Sequence, residues 1–167
     1  MRADIERAAQ AVRAAAEFDW TWTVNDLHPF CDQVGWQLSG LDEQVPAATT
    51  NLEVNRPDAL VYVADVSSTE RSRPIDQIAF RASDVVLDQA DLGPELDEVF
   101  DSLVQRMFEL LGRRPTGWWI EPTRGLSWDL PALVIKAKIS DASVFVYLGS
   151  PAFQRWNEEI EQNADDE

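Results

Sequence analysis

The sequence predicts a single α+β domain, with a mainly antiparallel sheet of five or six short strands covered by about four helices. Three observations carry that expectation. Apolar residues alternate through Leu133, Ile135, Ala137 and Ile139, with Lys136, Lys138 and Ser140 between them, which is the period of a strand with one buried face. After a polar break at Asp141, Ala142 and Ser143, the run Val144, Phe145, Val146, Tyr147 and Leu148 is β-branched and aromatic, so the two stretches make a hairpin. Further upstream, Leu96, Val99, Phe100, Leu103, Met107 and Leu111 recur at spacings of three and four, the stripe of a helix that buries one face.

At the N-terminal end, Ile5, Ala8, Ala9, Val12, Ala15, Ala16 and Phe18 lie among good helix formers and predict an alanine-rich amphipathic helix over 4–18. Trp20 and Trp22 alternate with Thr21 and Thr23, an extended connector whose two rings are expected to plug the core. A second helix is expected over 26–34, with Pro29 in its first turn, Gly35 as a left-handed stop, and Trp36 and Leu38 opening a strand. Residues 39–58 are rich in turn formers and lack a sustained period. This long irregular segment is the first place to look for partner contact.

Leu60, Val61, Tyr62, Val63, Ala64 and Val66 form a nearly continuous apolar strand suited to the middle of a sheet, and 75–86 is a further extended segment. The helix over 92–112 has Asp91 as a cap, Pro94 near its start and Gly112 just past its end. Trp118, Trp119 and Ile120 lead through Pro122 and Gly125 into Trp128 and the hairpin. A two-residue hairpin turn sets Phe145 and Tyr147 over the stems of Lys138 and Lys136, a three-residue turn reverses the faces, and the first is preferred. Ser150 followed by Pro151 starts a last helix in which Phe153, Trp156 and Ile160 share one face, expected to fold back on the sheet. No repeat or linker is visible, so the domain is expected over 1–162, followed by a disordered acidic tail at 163–167.

Composition narrows the function classes. A hydrophobic fraction of 45% with seven tryptophans excludes a disordered chain, and most of those tryptophans are expected in the interior. No apolar run approaches the ~20 residues of a membrane span and the first residues carry no signal-peptide core, so a cytoplasmic protein is expected. The net charge of −16 repels nucleic acid and anionic lipid and suits a basic protein partner, although excess acid also serves plain solubility.

Catalytic and cofactor signals are sparse. His28 and Cys31 are half of a zinc site at most, and the bland reading is an end-of-helix imidazole and a buried thiol. No G-x-S-x-G, G-x-G-x-x-G or G-x-x-x-x-G-K-[ST] motif is present, so neither nucleophilic catalysis nor nucleotide binding has support. Asp84 and Asp88 are a conceivable acid–base or magnesium pair, but a solvated face is the better reading in so acidic a chain. No cofactor, no metal and no enzymatic activity are expected. Trp118 and Trp119 point to opposite faces if extended, so one of them is a candidate interface anchor.

Two stretches, FDWTWTVNDLHPFCDQVGW and LSWDLPALVIKAKISDASVFVYLGSPAFQRWNEE, together with length and acidity, resemble a group of small acidic actinobacterial immunity proteins. That group includes the immunity factor of the mycobacterial tuberculosis necrotizing toxin, a secreted NAD hydrolase. The resemblance implies an antitoxin that blocks a cognate toxin in the producer's cytosol, and a basic or phosphate-binding cleft on that toxin would complement the acidic surface. Contacts are then expected at Asp42, Glu43, Glu53 and Asp58, with Trp119 as the aromatic anchor. The alternative is a secretion chaperone or adaptor that binds a segment of a protein partner through an exposed apolar patch. A small enzyme using Asp or Glu ranks third, because it needs a pocket of convergent carboxylates.

Overall fold

The computed structural model describes residues 1–87, 92–140 and 142–165, with side chains as far as 161. Its strands are β1 (Gln37–Ser39), β2 (Ala47–Thr49), β3 (Asp58–Val63), β4 (Ile75–Arg81), β5 (Gly117–Trp119), β6 (Gly125–Asp129), β7 (Val134–Ser140) and β8 (Ser143–Gly149). All eight belong to one antiparallel sheet in the order β1-β2-β3-β4-β8-β7-β6-β5. The α+β expectation holds, but five or six strands understates the sheet. The additional strands come from 39–58, where β2 stands in a stretch read as irregular, and from 117–129, which folds into β5 and β6 rather than one extended lead-in. Strands of three residues are too short for alternation to show.

The order describes two four-stranded meanders joined side by side at β4 and β8. Between them the chain must travel from the middle of the sheet to its far edge, and α3 (Gly93–Leu111) makes that crossing. Its 19 residues span about 28 Å at helical rise, enough to cover the roughly 19 Å from β4 to β5. Leu96, Phe100, Leu103 and Met107 are its buried stripe. Beside it lies α1 (Ile5–Glu17), capped by the Asp4 carboxylate, which accepts from the Arg7 N–H at 3.2 Å. Alanines at 8, 9, 11 and 15 are fully or almost fully buried and let α1 approach α3 closely, and Arg106 ties the pair by donating to Glu6 at 2.8 Å and 3.0 Å.

A 3-10 turn (Val24–Asp26) leads into α2 (Leu27–Val34), and Gly35 and Gly112 end α2 and α3 in the left-handed conformation, with φ of 79° and 65°. The rings of Phe18, Trp20, Phe30, Trp36 and Phe80 form a chain of contacts, mostly edge to face and tilted, that packs this corner against the sheet. The hairpin adopts the two-residue turn: Lys138 pairs with Phe145 and Lys136 with Tyr147, so Ile135, Ala137, Val144, Val146 and Leu148 all face the helices. On the reverse side Lys138 lies 4.8 Å from the Tyr147 ring centre and Arg81 4.6 Å from that of Phe145.

Two packing expectations need correction. The last helix, α4 (Pro151–Asp165), starts as expected, with the Ser150 hydroxyl accepting from the Phe153 N–H at 3.0 Å. It does not bury its apolar face: Trp156 is 57% exposed and Ile160 46%. The core face of the sheet is already covered by α1 and α3, and α4 runs on the reverse side, where Lys136 feels Glu158 and Glu161. Nor does the interior hold most of the tryptophans. Trp20, Trp36 and Trp128 are buried, Trp22 and Trp119 are half-buried, and Trp118 and Trp156 are exposed. The expected cap Asp91, Asp88 of the carboxylate pair, Asp141 of the hairpin turn and the tail residues Asp166 and Glu167 lie outside the described residues.

Candidate protein-interaction surface

Among the described residues, exposed apolar side chains gather at a few places rather than scattering singly, and these are the candidate sites. One is a groove of about 520 Å³ beside β2 and β3, lined by Val45, Pro46, Ala47, Leu60, Tyr62 and Val66 among others. Strand alternation explains its floor. Ala59 and Val61 turn into the core, so Asp58, Leu60 and Tyr62 fall on the reverse side of the sheet. Its walls are two loops, 40–46 and 64–73, clamped together by arginines. Arg71 donates to the Asp42 carboxylate at 3.0 Å and 3.4 Å, while the buried Arg73 donates to the carbonyls of Glu43 and Glu70.

The rim of this groove is acidic. Asp58 lines it and lies 3.7 Å from Arg81. Hydrogen bonds from Arg71, reinforced by its charge, hold the Asp42 carboxyl below its ordinary value, and those from the Ser67 hydroxyl and N–H do the same for Asp65. Asp42, paired with Arg71, and Asp65 therefore stay ionised to low pH on the loops beside an apolar floor. Such a surface combines an exposed apolar patch with carboxylates beside it, the composition of many protein-binding surfaces.

Of the five residues read from sequence, the fold brings Asp42, Glu43 and Asp58 to this one end of the sheet. Glu53 sits elsewhere, beside the first turn of α1, where its N–H donates to Asp4 at 2.9 Å and its carboxylate lies 3.5 Å from Arg7. Trp119 belongs to β5, the opposite edge, five strand intervals or roughly 24 Å from β3. It is half-buried because its indole lies over Gly125, where any Cβ would come within 2.3 Å of the ring. Its neighbour Trp118 is 74% exposed next to the exposed Ile120, an edge-strand patch of its own. Reasoning from sequence missed Val45, a lone valine in a polar turn, and ran the strand on to Ala64 and Val66, whereas β3 ends at Val63 and Val66 stands in the loop that walls the groove.

Several other titratable residues have structural roles. Asn55 and Val85 exchange two hydrogen bonds of 2.8 Å, and the Asp84 carboxylate accepts the N–H groups of Arg2 and Asn55 at 2.9 Å and 2.7 Å. These bonds stitch segment 50–56, with buried Leu52 and Val54, to the end of β4. Burial raises the pKa of Asp84, but those hydrogen bonds and Arg2 outweigh it, so the carboxyl sits below its ordinary value. Cys31 is buried and its thiol is pushed up to about 11, while His28 is exposed and 3.5 Å from Asp32. Among the described residues no three His, Cys, Asp or Glu side chains converge on a metal position, and no helix is long and apolar enough to cross a membrane.

These features define an α+β domain on one antiparallel sheet, with exposed apolar grooves edged by carboxylates. The chain belongs to DUF6301, a family of unknown function, whose model matches residues 6–150. The match covers the whole sheet and α1 to α3 but for the first residue of α1, and stops where α4 begins. No curated protein and no solved structure matches the chain.

Proposed function

We propose that this chain is an immunity protein, a binding protein that neutralises a secreted toxin by covering its basic, substrate-receiving cleft in the producer's cytoplasm. The single observation that carries the reading is the β2–β3 groove, an apolar floor with Asp58 at its rim and Asp42 and Asp65 on the loops beside it, on a chain of net charge −16. A cleft shaped for a phosphate-bearing substrate is positive, so such a surface speeds association and opposes the substrate's entry. The resemblance to small acidic actinobacterial immunity proteins makes an NAD-hydrolysing toxin the first partner to try.

The test is co-expression with a toxin domain encoded beside this gene. Rescue of growth and a stable complex whose association slows with salt are expected. A toxin that kills at an unchanged rate and fails to bind would remove the proposal. A second reading, a secretion chaperone or adaptor, is favoured by the exposed stripe of α4. It predicts capture of an unfolded segment of the partner in preference to its folded domain.

A further inference from the structure

A concavity of about 640 Å³ lies between the start of α4 and the segments 20–23 and 131–132. Trp22, Pro74, Pro131, Phe153 and Trp156 make its wall aromatic and apolar, and Asp76 is the carboxylate within it. Two backbone irregularities converge there. Trp22 has φ of 58°, the left-handed region, which a bulky side chain enters only when its surroundings hold it there. They do: the Asp26 carboxylate accepts the Trp22 N–H at 2.7 Å, the Trp22 indole donates to the Ala132 carbonyl at 2.8 Å, and its ring stacks 4.4 Å from that of Trp20.

The second irregularity is a β-bulge. Tyr62 pairs with Gln77 and Val63 with Ile75, leaving Asp76 as the extra residue. A bulge re-aims a side chain that regular pleating would place elsewhere. Ile75 and Ile78, three apart, both enter the core because of it, and Asp76 is free to line the groove. Burial pushes the Asp76 carboxyl above its ordinary value, and among the described residues no hydrogen bond or cation offsets that cost. An acid held this way, facing aromatic rings, lacks only a counter-ion.

We propose that this groove receives a basic side chain, arginine or lysine, from a protein partner, with the Trp22, Phe153 and Trp156 wall against the cation and Asp76 as its counter-ion. The occupant is a basic partner rather than a second copy of this chain, because two bodies of charge −16 repel and Glu158 and Glu159 extend the negative surface along α4. Arg155 also lines the groove and is the chain's own competing cation. The inference rests on the reading of the chain as a protein-binding domain, but it uses none of the residues of the β2–β3 groove.

The test uses the full chain and a capped tripeptide, Leu-Arg-Leu, with Leu-citrulline-Leu as its uncharged twin, followed through the tryptophan indole N–H signals at low salt. The arginine peptide is expected to shift the Trp22 and Trp156 signals and to bind about tenfold more tightly than the citrulline peptide. Asp76→Asn should erase that preference while the protein still melts cooperatively, and Arg155→Gln should tighten arginine binding. Equal binding of the two peptides, an unchanged preference in Asp76→Asn, or no indole shift at millimolar peptide would overturn the subsite. So would a salt-resistant dimer abolished by Trp156→Ala, which would assign the groove to a second copy. Failure to rescue cells from a toxin, with arginine selectivity intact, would instead count against the immunity reading alone.

Discussion

Helices α3 and α4 look alike in sequence and differ in what they bury. Each opens with proline in its first turn and carries an apolar stripe at helical spacing. In α3 the stripe of Leu96, Phe100, Leu103 and Met107 is buried, whereas in α4 Trp156 and Ile160 stay largely in solvent. The difference lies in the sheet. Strand alternation gives it one apolar face, which α1 and α3 already occupy, and α4 meets the reverse side, where Lys136, Lys138 and Arg81 stand among the aromatic residues. An amphipathic stripe therefore states that a face needs a cover without saying what supplies it.

The sharpest way to break the comparison is Leu103→Asp, which places a charge at a fully buried position of α3 and should abolish the cooperative unfolding transition. The milder Leu103→Ala should cost about 2–5 kcal/mol in denaturant melts. If either variant melts like wild type, α3 is not the helix that holds the sheet. By contrast, a chain ended after Ser150 should keep a cooperative melt, and Trp156→Ala should change stability by less than about 0.5 kcal/mol, as expected of a solvent-exposed position. Unfolding of the shortened chain would show that α4 is structural after all.

A smaller effect is expected where segment 50–56 joins β4. Asp84→Ala leaves two N–H groups unpaired and should cost about 1–3 kcal/mol. Its pH dependence has a definite sign. Because hydrogen bonds and arginine charge outweigh burial at Asp84 and Asp4, the folded pKa of each lies below the unfolded one. Their contribution is present above the ordinary carboxylate range and is lost as pH falls through the depressed values. Wild type should lose this increment on acidification, while Asp84→Ala should lose less. Smallest of all, Asp76→Asn should raise the melting temperature slightly at pH 7, since the folded protein holds that carboxyl above its ordinary value and ionising it opposes folding. A clear drop in melting temperature would show that Asp76 has a stabilising partner and is not waiting for one.

The candidate sites were less legible than the fold. Asp42, Glu43 and Asp58 could be picked out as acidic loop residues, yet nothing local tells that two loops fold over β2 and β3 to form a groove, or that Glu53 and Trp119 lie away from it. The Asp76 subsite did leave a trace. Ile75 and Ile78 are three apart, whereas the residues that enter the core cluster after them recur every two, at Ile78, Phe80 and Ala82, with Ala79 buried on the other face, and that mismatch requires one extra residue. Trp22 left none, because its left-handed backbone is imposed by Asp26, Ala132 and the ring of Trp20 rather than by its own preference.

By itself the sequence determined the α+β class, the hairpin with Lys136 and Lys138 on the reverse face, the extents of α1 and α3, and the proline and glycine punctuation of the helices. These follow from near-neighbour sterics, capping and period, which act over a few residues. Only the tertiary structure decided the eight-strand order, the junction of β4 with β8, the exposure of the α4 stripe and the assembly of both grooves. Those depend on which distant surface reaches a given face first, and once α1 and α3 have covered the apolar side of the sheet, no local signal in α4 can alter what is left for it to bury.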